Sequence, residues 1–368
     1  MNSSLQVGKP FGIKVTIHWT FLILIGWIVF VSVREGSTLL QMAESVAFVL
    51  TIFGCVVLHE LGHALAARRY GINTRGITLL PIGGVASLDK IPEEPPRELF
   101  VAIAGPMVNV AIAGILFLIL KVTGSFPGDF HIGMMGSGHF LTALFEVNVL
   151  LVLFNLIPAF PMDGGRLFRA GLAFRFDRLK ATTIAARTGQ LIAVVFAIWG
   201  GFNNPFLIII GLFVFIAAQA ELREVQSKSI LAGRTISDIL MRTYTPLRPD
   251  APLKKVVEIL LSSQEEEFVV TEDDKIAGIL TKNNIISGLS EFGQDVTTDK
   301  VMRTDFITVH PDDLLKDVYD RLQHSDYKIV PVVAGDRLTG LVLLNKINEF
   351  IRIHEALRSR RWFGISLF

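Results

Sequence analysis

His59, Glu60 and His63 form an HExxH run, and nowhere else among the 368 residues do two histidines stand four apart. On a helix, positions i and i+4 share a face, so both imidazoles can turn toward one ion. Glu60, about 100° further round, can reach a water that the ion activates. This is the residue set of metal-assisted hydrolysis, with the carboxylate as general base. Cys55 is the only cysteine, which excludes an internal disulfide and a cysteine-cluster metal site. Catalytic zinc normally keeps three protein ligands and one open position, so a third ligand must come from elsewhere in the chain.

The elements that carry these residues are apolar. The chain is 51% hydrophobic and 19% charged, and its charge is unevenly spread. Residues 1–228 hold 30 Asp, Glu, Lys and Arg and residues 229–368 hold 39, or about 13% against about 28%. The first part reads as a membrane-embedded domain and the second as a water-soluble one. A net charge of +1 with no basic run excludes a polybasic nucleic-acid binder.

A bilayer crossing needs about 20 apolar residues. The stretches 15–33, 45–67, 99–120 and 140–157 satisfy this, and the uncharged run 188–220 is divided in two by the Gly/Asn/Pro cluster at 200–205. About six spans result, placing both termini on one side. Sixteen Lys and Arg fall in the terminal segments and loops of that side, against Arg34 and Lys121 on the other. By the positive-inside rule, both termini and the soluble domain are cytoplasmic. Between the second and third spans, residues 74–88 alternate apolar positions around Pro81, Gly83 and Gly84. They read as a short β-hairpin at the interface, whose edge could pair with an unwound substrate.

His59, Glu60 and His63 lie inside the second span. Polar side chains hydrogen-bonded within a bundle are the plain alternative, but each ionisable group in a span costs about 2.5–3.5 kcal/mol, which points to function. His59 and His63 precede Arg68 by nine and five residues, about 13 and 7 Å below the cytoplasmic end of the helix. Among candidates for the third ligand, His131 and His139 fall on the wrong side and Glu146 lies too deep. Asp177 sits among Arg175, Arg178 and Lys180 as a solvated partner of those charges, whereas His18 is at a plausible depth. Asp163 is best placed, because Asn155 to Gly165 breaks a helix at the correct side with two prolines and two glycines. Irregular backbone at that depth is tolerated where it is buried in protein or lines a wet cavity. A cytoplasmic turn with an aspartate cap is the competing reading.

Residues 8–224 resemble the site-2 protease family of intramembrane zinc metalloproteases. HExxH lies in an early span, and the run from Asn155 to Gly165 looks like the family's NxxPxPxDG motif, with Phe160 where a second proline is common. The resemblance implies one zinc per chain held by His59, His63 and Asp163, and Glu60 as general base. It also implies that Asn155 helps hold substrate or a developing oxyanion, and that Gly83 and Gly84, which approximate a family strand, contact substrate.

The soluble part repeats with a period of 61 to 62 residues. Met241-Arg242-Thr243 recurs as Met302-Arg303-Thr304, and Gly278-Ile279-Leu280 as Gly340-Leu341-Val342. Each copy contains a helical pattern, two short strands and a further helix. This resembles a tandem cystathionine-beta-synthase (CBS) pair, α/β in class, with repeats at about 233–290 and 295–356. Such pairs often bind adenine nucleotides, dimerise, or regulate an attached domain. At the position of the family's ribose-binding aspartate, Thr281-Lys282-Asn283-Asn284 ends in asparagine, and the second copy reads Leu343-Leu344-Asn345-Lys346.

The expectation is a two-domain chain, 1–228 and 229–368. It would be an intramembrane zinc endopeptidase of the plasma membrane that cleaves membrane-anchored proteins near the cytoplasmic face, with the CBS pair as regulator. The alternative is a CBS-regulated transporter or channel, for which repeated halves or coordinating groups on several spans are expected. The sequence carries no inverted repeat.

Overall fold

The computed structural model describes residues 4–81, 83–88, 92–124, 140–263, 265–273, 275–335 and 337–362. The chain divides into two units, Met1–Val225 and Gln226–Phe368.

In the first unit, β1 (Ser4–Gly8) and β2 (Val15–His18) precede α1 (Phe21–Arg34) and α2 (Leu39–Arg68). The strands β3 (Thr74–Leu80) and β4 (Gly83–Leu88) follow, and then come α3 (Pro95–Val122), α4 (Phe140–Asn155), α5 (Asp163–Ala173), α6 (Arg178–Phe202) and α7 (Pro205–Leu231). Among the described residues, α2, α3, α6 and α7 are long and apolar enough to cross a membrane. α1 and α4, at 14 and 16 residues, reach only about 21 and 24 Å at 1.5 Å per residue. Large apolar side chains such as Trp27, Leu118, Ile198, Ile209 and Leu212 are exposed on these helices, as contact with hydrocarbon requires. The backbone polar groups beneath them are satisfied inside each helix.

The start of the first span differs in kind from the sequence reading. Residues 15–18, expected within the first span, form β2, and the helix starts at Phe21. The β-branched run Val15-Thr16-Ile17 pairs in parallel with Ile77, Thr78 and Leu79 of β3. The amide of Ile77 donates to Lys14 O at 2.8 Å, and the hydroxyls of Thr16 and Thr78 lie 3.1 Å apart. Partner strands more than sixty residues away thus claim backbone that would otherwise be helical. β3 and β4 form the antiparallel pair, Leu79 opposite Gly84 and Leu80 opposite Gly83. They belong to a four-stranded sheet of order β1-β2-β3-β4, with β4 at an edge. Ile82, between β3 and β4 in the sequence, lies outside the described residues.

The second unit contains α8 (Leu253–Ser262), β5 (Glu267–Glu272), β6 (Lys275–Thr281), α9 (Lys282–Phe292), α10 (Leu315–Gln323), β7 (Ile329–Ala334), β8 (Arg337–Leu343) and α11 (Leu344–Trp362). The two halves obey the sequence period. β5 pairs with β6 and β7 with β8, each antiparallel, with register shifts at Val270/Thr271 and at Val332/Val333. Leu247 bridges Val270 as Val309 bridges Val332, while Met241 bridges Leu341 and Arg303 bridges Ile279. The segment entering each repeat therefore pairs with the second strand of the other, so the repeats form one pseudo-symmetric module. Glu267 Oε2 accepts the Lys328 amide at 3.1 Å across the repeats, and burial pushes its carboxyl up to about 7.

Candidate metal centre

α2 presents His59 and His63 on one face, as their spacing requires, and both are buried. α5 begins at Asp163, which is also buried. From 100 and 104 residues further along the chain, Asp163 Oδ2 comes to 3.0 Å from His63 Nε2 and 3.1 Å from His59 Nε2, and the two Nε2 atoms are 3.1 Å apart.

α3 orients both imidazoles. His63 Nδ1 donates to Val101 O at 2.7 Å, and His59 Nδ1 to Asn109 Oδ1 at 2.6 Å. The Asn109 amide group donates in turn to Asn148 Oδ1 at 3.0 Å, which turns its oxygen toward His59, and Asn148 donates to Leu144 O at 2.8 Å. Each neutral ring is protonated at Nδ1, so each Nε2 points inward bearing a lone pair. Two lone pairs and a carboxylate oxygen facing one another without an available proton repel, unless a cation lies between them. A tetrahedral zinc holds such atoms about 3.3 Å apart, close to the separations found. The donor set, its spacing and its anchored tautomers fit zinc.

Room for the ion comes from Gly105 of α3. A methyl group there would overlap His63 Nε2 and stand 2.7 Å from His59 Nε2. Gly164 and Gly165 let α5 begin directly against the backbone of residues 156–160, as the sequence suggested for this break.

Glu60 is half-buried on α2 beside the cluster. Gly84 packs against it, since a Cβ at that position would lie 3.0 Å from Glu60 Cγ. Gly83 takes a φ of +139° at the turn and has open space beside it. Asn155 ends α4, half-buried.

The other candidate ligands stand apart. Among the described residues, the His/Cys/Asp/Glu group able to hold a metal is His59, His63 and Asp163. His18 hydrogen-bonds Thr20 at 2.8 Å within the sheet region, and Asp177 caps α6 by accepting the Lys180 amide at 3.1 Å. Glu146 is buried on α4. His131 and His139 lie outside the described residues. From the sequence alone, Asn109 and Asn148 read as packing hydrogen-bonders within the bundle, and Gly105 belongs to no motif. The available signal was the i, i+4 pair of Gly105 and Asn109 in a span otherwise poor in polar groups.

A buried HExxH helix joined by a distant aspartate inside a bundle of apolar helices defines a membrane metallohydrolase. The pattern of peptidase family M50 matches residues 47–196, and that of the CBS domain matches 236–291 and 297–352. Zinc metalloprotease MJ0392 of Methanocaldococcus jannaschii is 34% identical over 356 residues, which span 96% of this chain and 98% of the relative. A solved structure, the site-2 protease from Methanocaldococcus jannaschii, shares 38% identity over 60% of this chain and 95% of its own, with a TM-score of 0.44. The chain belongs to peptidase family M50, the site-2 proteases, and carries a tandem CBS pair behind the protease part. It is a zinc metalloendopeptidase of the membrane with a protein substrate, and the resemblance read from HExxH and the Asn155–Gly165 run holds.

Proposed function

We propose that His59 Nε2, His63 Nε2 and Asp163 Oδ2 hold one zinc ion, and that the chain uses it to cut membrane-anchored proteins within the bilayer near the cytoplasmic face. The convergence of three ligand atoms within 4.8 Å of one another carries this reading. Bound there, zinc supplies Lewis acidity, which acidifies a water and polarises the scissile carbonyl. Glu60 takes the proton of that water as its oxygen bonds to the carbonyl carbon. It returns the proton to the amine nitrogen as the C–N bond breaks. Asn155 steadies the substrate or the developing oxyanion. The edge strand β4, with Gly83 and Gly84, receives an unwound stretch of substrate as an added strand, since a helix hides its peptide bonds from attack.

In this reading six segments cross the plasma membrane, with α1 and α4 as the short ones and the β3–β4 hairpin at the interface. Both termini are cytoplasmic, and the boundary between protease and CBS domains falls near 228/229. Metal analysis of the purified full-length protein is expected to give one zinc per chain, with cleavage of single-span substrates. Folded protein without zinc would overturn the assignment.

The CBS pair is the regulator in this proposal, through an adenine nucleotide and a homodimer. Asn284 is engaged with Thr281, whose hydroxyl donates to Asn284 Oδ1 at 2.6 Å. An asparagine at this place can still present its amide group to a ribose. Calorimetry of the full-length chain is expected to show binding of ATP, ADP or AMP. No heat with any of the three would leave the pair a structural or dimerising module.

A further inference from the structure

Among the described residues of the first unit, the most deeply buried charge belongs to a residue that the proposed chemistry does not use. Arg169, on α5, has no exposed surface. Its Nε donates to Glu98 Oε1 on α3 at 2.7 Å and its Nη2 bonds the same oxygen, while Nη1 bonds Glu221 Oε1 on α7. Glu98, 1% exposed, also accepts from Arg178 Nη1 at 3.2 Å. The guanidinium lies over the ring of buried Phe160, 5.0 Å from its centroid. Two arginines and two glutamates thus balance in charge. A buried network of this kind is retained at a desolvation cost, which calls for a specific role.

The placement of the partners supplies that role. α5 is an 11-residue helix that starts in broken backbone and packs on α3 and α6, so the placement of Asp163 depends on contacts with other helices. α3 fixes both histidines, through Val101 O and Asn109. Glu98 lies on that same helix, three residues before Val101. Through Arg169, the aspartate-bearing helix is referred to the element that orients the imidazoles. The stacked Phe160, three residues before Asp163, extends the same clamp to the segment leading into α5. The fork of a guanidinium can hold two carboxylates and a ring at once, which an ammonium cannot.

We propose that Arg169 is a positioning residue for the metal centre: by tying α5 to α3 and α7 through Glu98 and Glu221, and by holding Phe160, it sets Asp163 Oδ2 against the two histidine nitrogens. The proposal rests on the zinc reading of His59, His63 and Asp163. Co²⁺ replaces zinc in the full-length protein, and its visible d–d absorption reports the ligand arrangement. In Arg169→Lys the spectrum is expected to change and Co²⁺ affinity, measured against a competing chelator, to fall about 10- to 100-fold. kcat should fall with KM within about twofold of wild type, because Arg169 touches no substrate. Glu98→Gln and Glu221→Gln keep an oxygen acceptor for the guanidinium and are expected to move the same readouts in the same direction by less. They carry the test if Arg169→Lys does not fold. A lowered melting temperature with spectrum, affinity and kcat unchanged would reduce the network to structural support and overturn the proposal. Wild-type protein that binds neither Co²⁺ nor zinc would overturn the metal reading itself, and this inference with it.

Discussion

Glu60→Gln is expected to keep a full complement of zinc and to lose about 10²- to 10⁴-fold in kcat, the range that a positioned proton-transfer group supplies. The separation of the two effects follows from the geometry. The three atoms that converge come from His59, His63 and Asp163, and Glu60 contributes none of them. Glutamine has the same shape and still packs beneath Gly84, whose added Cβ would stand 3.0 Å from Glu60 Cγ, so the helix and its histidines are undisturbed. What is removed is the ability to take a proton from water and return it to the leaving amine. Zinc content by metal analysis and turnover of a single-span substrate decide the matter. Wild-type turnover by the variant would remove Glu60 from the role of base.

Gly105→Ala is expected to empty the metal centre. Alanine favours a helix interior over glycine by about 1 kcal/mol, but overpacking a buried site costs about 1–3 kcal/mol, so the thermal midpoint should fall by no more than a few degrees. The added methyl group would stand 2.1 Å from His63 Nε2 and 2.7 Å from His59 Nε2, on the side where the three atoms converge. Neither ring can retreat, since one Nδ1 is bonded to Val101 O at 2.7 Å and the other to Asn109 at 2.6 Å. Loss of zinc by at least about 100-fold in affinity and loss of cleavage are expected together. That factor corresponds to breaking an arrangement in which ligand orientation alone is worth 10- to 100-fold. Stoichiometric zinc in the alanine variant would mean that the rings stand elsewhere.

The two variants probe different layers of the same site, and only one was legible from the chain. HExxH fixes its own geometry because both histidines ride one helix, where 3.6 residues per turn decide which side chains share a face. The tandem repeat is legible for a similar reason. Its period of 61 to 62 residues is a comparison of the chain with itself, and the paired register shifts at Val270/Thr271 and Val332/Val333 obey it. Apolar run lengths and the Lys/Arg distribution are likewise additive properties of short segments. They locate the helices, although Leu39–Arg68, Pro95–Val122 and Arg178–Phe202 each begin before the apolar runs that start at 45, 99 and 188.

The remaining features depend on which distant segments meet. Val15-Thr16-Ile17 read as the start of a span because apolar residues suit both hydrocarbon and a buried strand. The pairing with Ile77, Thr78 and Leu79 selects the strand. His18 and Asp163 were rivals at similar depth until the fold brought the aspartate to 3.0 and 3.1 Å from the histidines and left His18 bonded to Thr20. Asn109, Gly105 and Glu98 lie in one helix, but their uses appear only when that helix packs against α2 on one side and α5 on the other. The sequence settles the kind of chemistry, the bilayer setting and the repeat, since each is written in local spacing or composition. Tertiary packing decides which carboxylate meets the two histidine nitrogens, how the two rings are held by Val101 and Asn109, and which side chains surround Arg169. Contacts between residues 38 to 104 apart in the chain are selected by the free energy of the whole packed chain, and no local pattern records them.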